Sequence, residues 1–417
     1  MTTALEHVPC PFCGLRCDDL RVSTDGAAAT VLANGCERSR QQFALPIAPD
    51  AGCRVDGAPA SLDQALERSA AILSSARQPL LLAGGADVQA VRALLELADR
   101  TGAVVDHINS DAMMRNLHVL QDTGWVTTTL SEVRNRADLV ILVGGDLVGR
   151  FPRFVERCVD NAATLFAPTR ARPEVIFLGV PPAGVSGEHV AIEPDRLGEL
   201  FAAMRALQAG ARLDVQQVAG VSVAELASLL ARMQRARYGV IAWAAADLAM
   251  PHAELAIQSL CELVKALNQS GRFVGLPLAG NDGDVTAYQV ITWQTGLPLR
   301  TRFARGGPQF DPYRFGAGRL LQNGEADALL YVAALDATRH PPPASCPTVV
   351  LGRAGMAPPP GCAVFIPIGT PGIDHAGHLY RGDTVVAVHM HKLLERGLPS
   401  AREVLEQIGA RLARVEA

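Results

Sequence analysis

Short apolar runs alternate with capped amphipathic stretches through most of this 417-residue chain, and that alternation narrows its fold more than any other feature. Ser61-Leu62-Asp63-Gln64 is a capping-box pattern, which predicts a helix from Leu62 to Arg77. Pro79–Ala83 then reads as a buried strand stopped by Gly84-Gly85. A helix over Val88–Arg100 and a strand at Ala103–Asp106 complete a strand–helix–strand unit. The pattern recurs. Thr129–Glu132 caps a short helix, Asp138–Val143 is an apolar strand that turns out through Gly144-Gly145-Asp146, and Val175–Val180 is another strand. Ser222–Glu225 opens a helix to Arg235, Tyr238–Trp243 is the strand after it, and Glu254–Gln269 has helical periodicity. Ala328–Ala333, Thr348–Leu351 and Cys362–Pro367 extend the series, while the proline-rich pieces His340–Ala344 and Pro358–Pro360 read as loops. Such alternation predicts an α/β fold with parallel sheets covered on both faces.

Size and composition set the outer limits. The chain is long enough for two or three domains, and with 49% apolar and 5% aromatic residues it has the make-up of a packed α/β protein. We divide it into a cysteine-rich lobe over 1–56 with short strands at Asp19–Val22 and Thr30–Leu32, an α/β domain over 57–209, and further α/β structure over 210–417. A formal charge of −4 gives no electrostatic case for nucleic acid or an anionic membrane surface. No apolar run approaches a membrane span, and the N-terminus shows no export signal, so a cytoplasmic protein is expected.

The chemistry-bearing signal is at the start of the chain. Cys10, Cys13 and Cys17 form a C-x-x-C-x-x-x-C run, and Cys36 follows. Three thiols in one loop and a fourth returning from a later turn can close a tetrahedral sulfur shell, which suits Zn²⁺ or the corners of a cubane iron–sulfur cluster. Disulfides are disfavoured in a cytosolic-looking chain of this length, and packing alone would not bunch four cysteines at one end. Cys53, Cys158, Cys261, Cys346 and Cys362 are scattered singly and read as core thiols. Other motifs are weak. Gly144-Gly145-Asp146 and Gly84-Gly85 lack the spacing of a dinucleotide-binding turn, no phosphate-binding P-loop occurs, and Ser186 lacks the frame of a nucleophile elbow. His389 and His391 could offer two imidazoles from one strand face, but beside Lys392 they read as a polar strand end; His375 and His378 flank Gly377 in a similar loop.

With these residues in view, the chain resembles the B subunit of formylmethanofuran dehydrogenase, in the molybdopterin oxidoreductase superfamily. The resemblance rests on CPFCGLRCDD at Cys10–Asp19, LSEVRNRAD at Leu130–Asp138, Pro152-Arg153, VITWQTG at Val290–Gly296, RFARG at Arg302–Gly306 and GHLYRGD at Gly377–Asp383. It covers nearly the whole chain. It implies several parallel-sheet α/β domains of molybdopterin oxidoreductase type, a small N-terminal cysteine-rich lobe, no C-terminal β-barrel cap, and partner subunits.

The departures from the family pattern bear on function. Where the dehydrogenase has a Cys-His-Gly-Pro stretch whose cysteine ligates molybdenum or tungsten, a gapless overlay from Asp106 to Gly124 puts Ala112-Met113-Met114-Arg115. Alanine has no lone pair for a metal, and a neutral thioether is a poor ligand for a hard oxidised one. The family's Gly-Cys-Asn-Pro turn reads Gly144-Gly145-Asp146-Leu147, and a carboxylate there would repel a pterin pyrophosphate. No molybdopterin is therefore expected, nor any catalytic or cofactor-binding residue. This pattern resembles the B subunit of the bacterial formyltransferase/hydrolase complex. The resemblance implies a structural role alongside amidohydrolase-like, formyltransferase and further subunits. Such a complex takes formyl-tetrahydromethanopterin to formate through a formyl-methanofuran-type intermediate in one-carbon metabolism and formaldehyde oxidation. The alternatives are an active molybdenum or tungsten dehydrogenase subunit and a lone zinc-lobed α/β binding protein. The family's cysteine lobe holds a [4Fe–4S] cluster that takes electrons from the pterin. Without that donor, and with only eighteen residues between Cys17 and Cys36, Zn²⁺ on Cys10, Cys13, Cys17 and Cys36 is favoured over the cluster.

Overall fold

The computed structural model describes residues 3–47, 52–161, 163–167 and 169–415. It is a mixed α/β structure whose chain separates into two compact units, one formed by residues 1–110 and 280–417, the other by residues 111–279.

Among the described residues the first unit carries a nine-stranded sheet. Five parallel strands form its centre, in the order Val104–His107, Pro79–Ala83, Ala328–Ala333, Thr348–Arg353, Val364–Ile368. Antiparallel pairs close both edges: Thr301–Ala304 with Gly307–Phe310 beside Val104, and Cys53–Val55 with Ala58–Ala60 beside Val364. The central strands are apolar along their whole length and buried on both faces, as the uninterrupted runs predicted. The chain leaves Pro79–Ala83 for one neighbour and returns on its other side at Ala328–Ala333, so the strand order reverses there. Such reversals open a crevice at the carboxyl ends of the strands. In this unit the reversal is closely packed at Gly84, where an added Cβ would meet the Tyr331 hydroxyl at 2.1 Å.

Helix Leu62–Ser75 starts where expected. The Gln64 amide donates to the Ser61 hydroxyl at 3.2 Å, and the Gln64 side chain accepts from the Ser61 amide at 2.9 Å. Asp87 caps Val88–Thr101, which ends at left-handed Gly102. A separate three-stranded antiparallel sheet, Thr3–Val8, Leu20–Thr24 and Ala29–Ala33, carries the N-terminal cysteines on its connections, followed by helix Glu37–Phe43.

The second unit holds five parallel strands in the order Glu188–Val190, Glu174–Gly179, Leu139–Gly144, Gly239–Trp243, Phe273–Pro277. Its strand order also reverses, between Leu139–Gly144 and Gly239–Trp243. Asp138 fixes the register of that central pair, since its two carboxylate oxygens accept the Arg237 and Tyr238 amides, each at 2.9 Å. Val223–Arg235 is opened by the predicted Ser222–Glu225 capping box. Among the described residues no helix is long and apolar enough to cross a membrane.

Candidate functional site

The four predicted ligands fall on one loop and one helix start. Cys10 leaves strand Thr3–Val8 and its amide donates to the Cys17 carbonyl at 2.8 Å, closing the loop on itself. Within it the Arg16 amide donates to the Cys13 carbonyl at 3.2 Å, which bends the chain at a left-handed Arg16. Cys10, Cys13 and Cys17 are buried, and Cys36 is half-buried. Cys36 caps helix Glu37–Phe43, its Sγ accepting the Ser39 amide at 3.4 Å. Burial pushes the Cys10 thiol well above the usual range, and the neighbouring thiols of Cys13, Cys17 and Cys36 push the same way. Burial and Cys17 push Cys13 up to about 11.

The donor set has the chemistry of a thiolate centre, four sulfurs gathered in one small lobe. Among the described residues, however, no three or more His, Cys, Asp or Glu side chains form a ready-made ligand group. Closing on an ion would require these thiols to draw together and lose their protons.

Sequence reasoning missed what secures the loop. Arg16, 2% exposed, points inward and satisfies four backbone carbonyls: those of Pro11, Cys13 (3.0 Å), Gly280 (2.9 Å) and Tyr380 (3.2 Å). The Gly14 amide donates to Asn281 Oδ1 at 3.2 Å, and the Gly382 amide to the Gly14 carbonyl at 2.7 Å. Gly280 must be glycine, because its φ is +98° and a Cβ would lie 2.7 Å from Gly14 Cα. Three segments far apart in sequence, 10–17, 280–284 and 377–383, are thus tied together around one guanidinium.

The same turn reaches the carboxyl end of Val104–His107. Asn109 donates its amide to His107 Nδ1 at 3.0 Å, so Nε2 carries the proton and donates it to the Asp282 carbonyl at 3.0 Å. Arg339 Nη2 lies 2.8 Å from both Asp282 Oδ2 and Asn109 Oδ1. With both ring nitrogens engaged, His107 is a structural imidazole rather than a free base. Burial pushes it down to about 4, with Arg339 pushing the same way and Asp282 opposing.

This placement gives a pH prediction. The unfolded chain takes up a proton near pH 6.5 while the folded chain keeps His107 neutral until about pH 4, so stability is lost as pH falls through that window. Buried Asp284, pushed up to about 7, has the opposite sign and gains stability on acidification. Comparison with His107→Gln isolates the histidine. From pH 7 to pH 4 the wild type is expected to lose on the order of 2–3 kcal/mol more unfolding free energy than the variant, measured by denaturant titration. Parallel pH profiles would count against a buried neutral imidazole.

Ala112–Arg115 and Gly144–Leu147, which the sequence resemblance lays over a metal-ligand stretch and a pterin turn, lie in the second unit. Ala112–Arg115 sit in the continuous helix Ser110–Asp122. Met114 is buried, Ala112 packs against the unit's core, and Arg115 donates to the Ala245 carbonyl at 2.8 Å. Arg150 pairs with the buried carboxylate of Asp247, two residues after Ala245 in the same turn. Leu147 is buried and Asp146 is exposed, with its Oδ1 turned back over Gly149, where a Cβ would meet it at 2.0 Å. Two arginines therefore spend their charge on the chain's own 245–247 turn at the strand-order reversal.

Together these features define an α/β protein of two parallel-sheet units, with a cysteine loop tied into the first. No protein-family profile matches the chain. It is 33% identical over 333 residues to the B subunit of the formyltransferase/hydrolase complex Fhc of Methylorubrum extorquens, covering 78% of this chain and 87% of that protein. It is 28% identical over 428 residues to the B subunit of tungsten-containing formylmethanofuran dehydrogenase 2 of Methanocaldococcus jannaschii, covering 97% and 98%. Among solved structures, a chain of the formyltransferase/hydrolase complex (FhcABCD) from Methylorubrum extorquens, crystallised with methylofuran, matches with a TM-score of 0.76 and 29% identity. That match covers 88% of this chain and 99% of the other. The chain belongs to the family of B subunits that includes those of formylmethanofuran dehydrogenase and of the formyltransferase/hydrolase complex.

Proposed function

We propose that this chain is the B subunit of a formyltransferase/hydrolase complex and acts there as a non-catalytic structural partner. Residues 112–115 carry the reading. At the family's metal-ligand position stands Ala112, followed by two methionines and an arginine that is bonded to the Ala245 carbonyl. These residues supply neither a thiolate for molybdenum or tungsten nor an imidazole to move protons. In the complex the formyl group of formyl-tetrahydromethanopterin passes to a methanofuran-type carrier on the transferase subunit, and an amidohydrolase-like subunit releases it as formate. This chain and a further subunit hold the two together. Formate release by the complex assembled with and without this chain tests the proposal, with loss of release expected in its absence.

The cysteine loop supplies the second part of the role. Cys10, Cys13, Cys17 and Cys36 would hold Zn²⁺ in preference to a [4Fe–4S] cluster, because a subunit without a pterin has no electrons to pass. The ion would cross-link the loop to helix Glu37–Phe43 and add its binding free energy to folding. Cys13→Ser is expected to lose one zinc per chain and to lower the unfolding midpoint. Iron in fourfold excess over the chain, with visible absorption, would replace zinc by the cluster.

A further inference from the structure

The hairpin formed by Gly377–Tyr380 and Ala387–Met390 carries a histidine group that has no part in the scaffold role. His378 and His389 stand directly opposite each other across its two strands, both exposed to solvent. Their rings lie 4.8 Å apart between centroids, and His378 Nε2 faces His389 Nδ1 at 3.3 Å. His391 packs edge-on against the His389 ring at 4.9 Å.

Three physical facts argue for a ligand here. Cross-strand neighbours on one sheet face keep their side chains together without cost in backbone strain. A nitrogen–nitrogen separation of 3.3 Å is long for a hydrogen bond between rings, whose mode is about 2.9–3.0 Å. It matches instead the edge of a tetrahedron around zinc, since two nitrogens each about 2.05 Å from the ion lie about 3.3 Å apart. We propose that His378 and His389 form a bidentate imidazole chelate for a first-row divalent cation of the Zn²⁺, Ni²⁺ and Cu²⁺ class, with water completing the coordination. Imidazole nitrogens favour these ions over Mg²⁺ or Ca²⁺. The site takes two protein donors only, in keeping with the lack of any three-residue ligand group among the described residues. It is separate from the cysteine loop in donor type, and it neither needs nor tests the scaffold role.

Ni²⁺ titration of the untagged, metal-loaded chain by calorimetry, with parallel absorption spectra, tests this. One Ni²⁺ per chain is expected to bind without sulfur-to-nickel charge-transfer absorption. His378→Ala and His389→Ala are each expected to weaken binding at least about tenfold, since loss of even an outer-shell partner lowers metal affinity on that scale. His252→Ala, at an exposed histidine of the other unit, leaves it unchanged. Both histidines are on the surface, so these variants fold, and circular dichroism checks that they do. Binding unaffected by the double variant, binding accompanied by sulfur charge transfer, or no binding at millimolar Ni²⁺ each overturns the proposal.

Discussion

Omitting this chain from a reconstituted formyltransferase/hydrolase complex is expected to lower formate release about a hundredfold or more, if its role is the structural one proposed above. A formyl carrier that must travel between a transferase and a hydrolase gains from having both on one platform. Tethering raises effective concentration enough to change occupancy by about 10²–10⁴ without any new contact. Loss of the platform should therefore cost about a hundredfold or more in formate release, while each partner keeps its own half-reaction when assayed alone. The readout is formate from formyl-tetrahydromethanopterin with and without the chain. Undiminished release in its absence would mean that the partners need no such scaffold.

Arg16→Ala is the second change of large expected effect. The guanidinium is buried and serves four carbonyls from three parts of the chain, at Pro11, Cys13, Gly280 and Tyr380. Burial works against its charge, and the carboxylates of Asp284 and Asp282 help to retain it. Truncation removes this donor from the carbonyls of Pro11, Gly280 and Tyr380, while Cys13 keeps the Arg16 amide; at about 1–3 kcal/mol for each that water does not reach, a loss of about 3 kcal/mol or more is expected. Arg16→Lys should recover only a part, because a single ammonium cannot span four diverging carbonyls. Hydrogen exchange adds a local signature: amides in 10–17, 280–286 and 377–383 should lose protection together. Exchange confined to 10–17 would show that Arg16 holds its own loop but not the other two segments.

Local chemistry was legible in the sequence where it is self-contained. The capping boxes at Ser61 and Ser222 mark helix starts because each is closed by residues three apart. The apolar runs at Pro79–Ala83 and Ala328–Ala333 mark strands for the same reason, and the four N-terminal cysteines announce themselves by spacing. What local pattern does not carry is pairing. An apolar strand bears no label saying which neighbour it takes, so the placing of Pro79–Ala83 between Val104–His107 and Ala328–Ala333 emerges only in three dimensions. The Gly14–Asn281 bond spans 267 positions, and Arg16 reaches carbonyls 264 and 364 residues away. His389 and His391 read as one strand end, whereas the nitrogen facing His389 comes from His378 across the hairpin.

Elemental and pterin analysis of the purified complex decides whether this subunit carries redox chemistry. A B subunit with Ala112 at the family's metal-ligand position, and Arg115 bonded to its own Ala245 carbonyl, predicts neither molybdenum nor tungsten in stoichiometric amount and no bound pterin. One molybdenum or tungsten per chain, recovered together with a pterin, would contradict it and make this chain a redox subunit.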